Sequence, residues 1–193
     1  MVFGLRKNWS THNLANRLRQ HTVVFSVAIF LFAFAVRILA WQDNHQNVLK
    51  VQESVTARYK ESAKQLVAGD FKAFVTDVQR LGHPPGYPIL LAVIFKLAGE
   101  SATTIQIIQM VVDCVAVVVV FMIALELFQF AVAITTALLA ALSPQFSYFS
   151  VLLLPDSVVV LPILLAVYFI IRSRSHYSIS SLLMAGALVG LSC

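Results

Sequence analysis

Charge is scarce in this chain: of 193 residues only 12% are Asp, Glu, Lys or Arg, against 59% hydrophobic. That balance excludes an ordinary soluble globular domain. Cysteine is nearly absent, with Cys114 inside an apolar segment and Cys193 at the last position, which excludes a disulfide framework and a thiolate metal site. The ten-residue alternation of an outer-membrane barrel is missing too, as are tandem repeats, inverted repeats and low-complexity tracts. The formal charge of +5 comes from basic residues scattered over loops and helix ends, not gathered on one soluble face, so no nucleic-acid partner is expected. What is present is a series of apolar stretches of helical length. The fold class expected is therefore all-α: a polytopic bundle of transmembrane helices.

Residues 1–22 carry Arg6, Lys7, Arg17 and Arg19 and no acidic residue, and the apolar run 23–41 follows. Its length, the internal Arg37 and the lack of a small-x-small site before Gln42 argue against a signal peptide. A first membrane span with a cytoplasmic N-terminus fits better, in a multi-pass protein of the cell (inner) membrane. Residues 42–85 form the one extended polar region. Val48, Val51, Val55, Tyr59, Ala63 and Leu66 recur at helical steps, Gly69 and Asp70 stop and restart the pattern, and Phe71, Phe74, Val75, Val78 and Leu81 resume it. This predicts two amphipathic helices on the membrane surface in an outer loop. Long apolar segments follow at 102–127, 130–150 and 152–171, and a last one from 178 stops in mid-run. The region 102–193 is thus read as transmembrane helices, the last one truncated, in the N-terminal portion of a longer protein.

Between the polar loop and those segments stands "HPPGYPIL" at residues 83–90. The apolar run it opens, 86–98, is roughly 20 Å long as a helix against a hydrocarbon core of roughly 30 Å. A run so short is expected to be interfacial or re-entrant over 86–99. Leaving it out of the span count also puts the basic loop at 172–176 in the cytoplasm, as the positive-inside rule requires, and puts Pro155 and Asp156 on the outer side. Pro84, Pro85 and Pro88, with Gly86, make a rigid turn from surface helix into this run, because proline fixes its own φ and biases the residue before it toward extended geometry.

The stretch "GHPPGYPILLAVIFKLAGES", the helix ending "ALELF", "LLAALSP" and "LLLPDSVVVLPILLAVYFI" together resemble the front part of C-superfamily (GT-C) membrane glycosyltransferases. In pattern they are similar to the dolichyl-phosphate-mannose protein mannosyltransferases and to the bacterial aminoarabinose transferases that modify lipid A. The resemblance implies an enzyme that takes a sugar from a polyprenyl-phosphate carrier and passes it, with inversion, to a lipid, glycan or protein acceptor at the outer face of the membrane. It also implies a carboxylate in the first outer loop as general base and basic residues holding the carrier phosphate.

"ARYKESAKQLVAGD" matches the family's first surface helix at Arg58 and Tyr59. The acid normally found three or four residues before that tyrosine is replaced here by Thr56 and Val55. Glu53 and Asp43 are the substitute candidates for the catalytic base, since a carboxylate near a membrane surface can be tuned toward the working pH. Arg58 is the candidate for the carrier phosphate, its guanidinium making paired charge-assisted hydrogen bonds. His83 stands where related transferases place a basic residue before Pro-Pro, and its ring can donate to the same phosphate. Asp156 occupies a position where the family often carries an acid facing the cavity, although a carboxylate at a helix start is also an ordinary cap.

Two charges fall within apolar segments. Asp113 must pair or face a cavity, while Arg37 is expected to snorkel to the outer interface or to pair with a loop carboxylate. Glu126 lies near a segment end and reaches water. No cofactor is required by this reading; a divalent metal is left open, because His45 and His83 match no ligand spacing. The partners expected are the polyprenyl-phosphate-linked sugar, its acceptor and membrane lipid. The alternatives are a transporter or flippase segment, in which Arg37 and Asp113 would serve a translocation path, and a non-catalytic membrane scaffold.

Overall fold

The computed structural model describes residues 22–43, 53–81, 85–173 and 178–192. Among them the secondary structure is entirely helical: α1 (Thr22–Asp43), α2 (Glu53–Val67), α3 (Phe71–Leu81), α4 (Gly86–Ala98), α5 (Ala102–Leu127), α6 (Phe130–Leu142), α7 (Pro144–Val151), α8 (Asp156–Ser173) and α9 (Ile179–Ser192). Three of these, α1, α5 and α8, are long and apolar enough to cross a membrane, and α6 with α7 makes a fourth candidate bent by 51°. The protein is an all-α, multi-pass membrane bundle.

α5 is the central post, in contact with α6, α7 and α8, and α9 packs on α8. The α1–α5–α6 corner is held by Ile29 and Ala33, by Cys114, Val117, Phe121 and Ala124, and by Ala133, Ala137 and Ala141. The three α6 alanines recur every fourth residue and are fully buried. Such a stripe lets helix backbones approach closely, which is how helices associate where lipid is as apolar as leucine. The Phe25 ring meets Phe130 edge-on at 4.9 Å. Cys114 is a packing residue of this corner.

Arg37 is completely buried in the same corner. Its Nε donates to Asp113 Oδ2 at 2.7 Å, and its Nη1 donates to the Ala141 carbonyl at 2.6 Å. This corrects the expected placement of Arg37 at the interface or on a loop carboxylate: its partner is the intramembrane Asp113, 76 residues away in sequence. The physical reason lies in α6. A helix that ends inside a bundle leaves its last carbonyls without amide partners, and the guanidinium supplies donors to two of them, Ala141 and Ala140. Asp113 balances the charge. The two charges an ion path would use are thus engaged with each other and with the α6 terminus.

The same need recurs beyond the bend. α7 ends at Val151, and residues 152–155 link it to α8. Their carbonyls are met by two buried glutamines one turn apart on α5: Gln106 Nε2 donates to Val151 O at 3.0 Å, and Gln109 Nε2 to Leu154 O at 2.8 Å. Trp41 at the end of α1 donates to Gln106 Oε1 at 2.9 Å. The end of α1, the start of α5 and the α7–α8 linker therefore share one end of the bundle, called here the linker end.

α2 and α4 cover that end. α2 ends at Val67 and the chain turns through Gly69, whose φ of 80° is readily reached only by glycine, and Asp70 restarts the chain by accepting from the Ala73 amide at 3.0 Å to cap α3. α4 tolerates Pro88 because that residue lies in its first turn, where an amide would have no helical acceptor. Tyr59 and Ala63 of α2 pack on Tyr87, Leu91, Ile94 and Phe95 of α4, with Ile105 and Leu153 completing the cluster. Lys64 bridges to Glu100 at 2.9 Å, an exposed pair that solvent and salt weaken. Ser101 caps α5 through the Thr104 amide.

Candidate active site

Two tyrosines meet at the linker end. Tyr59 lies on the buried face of α2, and Tyr87 sits in the first turn of α4, directly after the Pro85–Gly86 turn. Their rings meet edge-on at 5.1 Å with an interplanar angle of 88°, a favourable arrangement for aromatic quadrupoles. Thr56, one turn before Tyr59, donates to the Leu153 carbonyl at 3.4 Å, which ties α2 to the α7–α8 linker.

Asp156 is the first residue of α8 and is exposed. The helix N-terminus favours its negative charge. That charge reaches both tyrosines. Burial, reinforced by Asp156, holds the Tyr59 hydroxyl above the ordinary tyrosine pKa, and deeper burial pushes Tyr87 further in the same direction, with smaller contributions from Tyr59 and Asp156. Both phenols are therefore protonated at neutral pH and can donate.

The candidates named from sequence divide as follows. Arg58, Tyr59 and Asp156 are brought to the linker end, Arg58 exposed and adjacent in sequence to the buried Tyr59. Asp43 is the last residue of α1 and is exposed. Glu53 is the first residue of α2, and its side chain lies outside the described residues. His83 and Pro84 also lie outside them. Pro85 precedes α4 with φ of −72°, Gly86 begins the helix and Pro88 is buried in it. Among the described residues no three His, Cys, Asp or Glu side chains group as they would around a metal ion.

Sequence reasoning missed Gln106 and Gln109. Glutamine at a one-turn spacing inside an otherwise apolar 26-residue helix was the available signal, since an amide buried in a membrane segment must find a partner.

Residues 82–193 match the family profile of the dolichyl-phosphate-mannose-protein mannosyltransferases, which is more than half of the chain. The chain belongs to that family. No curated protein and no solved structure matches it. Membership makes this mannosyltransferase-family chain a membrane glycosyltransferase in kind, and the match covers Tyr87, Gln106, Gln109 and Asp156.

Proposed function

We propose that the chain carries the sugar-transfer site of an enzyme that uses a polyprenyl-phosphate sugar as donor and a lipid, glycan or protein hydroxyl as acceptor, at the outer face of the membrane. The observation that carries this reading is the meeting of Arg58–Tyr59, the head of α4 and Asp156 at one end of the bundle. Transfer with inversion needs two things: a carboxylate that takes the acceptor proton as the hydroxyl attacks, and cations that hold the phosphate as it leaves. In this reading Arg58 and His83 bind the carrier phosphate, since a guanidinium and a protonated imidazole offer it charge-assisted donors. Asp156 is the first candidate for the base, because its charge falls on the tyrosine pair; Glu53 and Asp43 are the other two. Tyr59 and Tyr87, in edge-on contact, line the site beside Arg58. The turn through Pro84, Pro85, Gly86 and Pro88 positions and does no chemistry.

The test separates binding from transfer in the full-length protein. Arg58→Met and His83→Ala are expected to weaken binding of dolichyl-phosphate mannose. Asp156→Asn is expected to keep that binding and lower transfer about 100-fold or more. Glu53→Gln and Asp43→Asn, measured alongside, assign the base if Asp156→Asn transfers normally. Unchanged binding and transfer in all five variants would sink the reading.

A further inference from the structure

Gln109 grips the chain on both sides of Asp156. Its amide nitrogen donates to Leu154 O at 2.8 Å and reaches the Ser157 hydroxyl at 3.4 Å, so one buried group fixes the residues that flank Pro155 and Asp156. Gln109 is 0% exposed, and its grip is shielded from competing water. The amide oxygen and the Tyr87 hydroxyl are both buried without a hydrogen-bond partner. Gln106 does not share the grip: it holds Val151 at the end of α7, three residues short of Leu154.

We infer that Gln109 is a positioning residue for the transfer reaction, acting through Asp156. The inference rests on the proposed role of Asp156. A side chain that must meet an acceptor hydroxyl within hydrogen-bond reach cannot follow directly on a linker free to shift, and a displacement of about 1 Å is enough to cost about 100-fold in rate. The nearest substitutes lose the grip. Glutamate cannot donate to Leu154 O, asparagine is one methylene short, and leucine keeps the volume but loses both bonds.

The experiment compares Gln109→Leu, Asp156→Asn and the double variant Gln109→Leu/Asp156→Asn in the full-length protein, with dolichyl-phosphate mannose as donor and host membrane lipid and protein as acceptor pools. Gln109→Leu is expected to lower kcat about 100-fold while KM for the donor moves less than about threefold. The double variant is expected to be no slower than Asp156→Asn alone, since a residue acting through Asp156 has nothing left to position. A multiplied loss in the double variant, or normal kcat in Gln109→Leu beside an inactive Asp156→Asn, overturns the positioning role and leaves the proposed function standing. Normal transfer by Asp156→Asn removes the base and this inference together. A readout independent of activity is a spin label attached at Asp156→Cys. Its spectrum is expected to show greater mobility when Gln109→Leu is added, and an unchanged spectrum contradicts the grip.

Discussion

Asp113→Ala offers a quantitative test of how the bent α6–α7 segment is held. The substitution leaves the Arg37 guanidinium, 0% exposed, facing main-chain carbonyls with no counter-charge. Removing one partner of a buried ion pair costs about 3–5 kcal/mol. Asp113→Asn costs less, because its amide oxygen still accepts from Nε. Arg37→Leu strands Asp113 and also strips the donors from Ala141 and Ala140, each orphaned carbonyl adding about 1–3 kcal/mol. In the double variant Arg37→Leu/Asp113→Leu no charge is buried and only the carbonyl cost remains. It should therefore be far more stable than the two single losses added together. The assay is unfolding of the full-length protein by SDS in mixed micelles, followed by circular dichroism. An ordinary interhelical hydrogen bond in a membrane protein contributes only about 0.6 kcal/mol. If Asp113→Ala costs no more than that, or if the double variant equals the sum of the singles, the reasoning fails.

Ala137→Leu inserts bulk into the fully buried α6 stripe and should destabilise the α1–α5–α6 corner by about 1–3 kcal/mol in the same assay; an unaltered unfolding curve would mean these backbones are not in close contact. Gly69→Ala meets no atom within 4 Å but must adopt φ of +80°, so it should cost about 1–2 kcal/mol through the backbone alone, and a neutral result would refute the left-handed turn. Tyr59 favours its neutral form in the folded protein. Its contribution to stability is fully present below a pH of about 10 and is lost as the pH rises through its raised folded value. Tyrosinate absorbance, taken as the difference between the protein and Tyr59→Phe, should show a midpoint above about 10 that falls when Asp156→Asn removes the nearby charge. A midpoint at the ordinary value contradicts the burial of the Tyr59 hydroxyl, and a midpoint unmoved by Asp156→Asn contradicts the Tyr59–Asp156 proximity.

The all-helical membrane architecture was legible because scarcity of charge and the lengths of apolar runs are properties of segments, which need no knowledge of tertiary contacts. Gly69 and Asp70 likewise carry their turn chemistry locally. The family resemblance was legible through "HPPGYP" and the segments that follow it. The partner of Asp113 was not legible, since a pair separated by 76 residues leaves no mark on either local sequence, and a snorkelling arginine is the common outcome near a helix end. The two glutamines were overlooked for a related reason. Their role follows from carbonyls freed at the ends of α7 and its linker, and only the bend at Ser143 and the linker path disclose which carbonyls those are.

The central claim is that sugar transfer takes place at the linker end of the bundle. The most direct measurement is to label the full-length protein with a photoreactive analogue of dolichyl phosphate and map the modified peptides. The account predicts labelling of the peptides that contain Arg58, Tyr87 and Asp156, competed away by dolichyl-phosphate mannose. Competable labelling confined to the opposite end, around Leu127–Gln129 and Arg172, would contradict it.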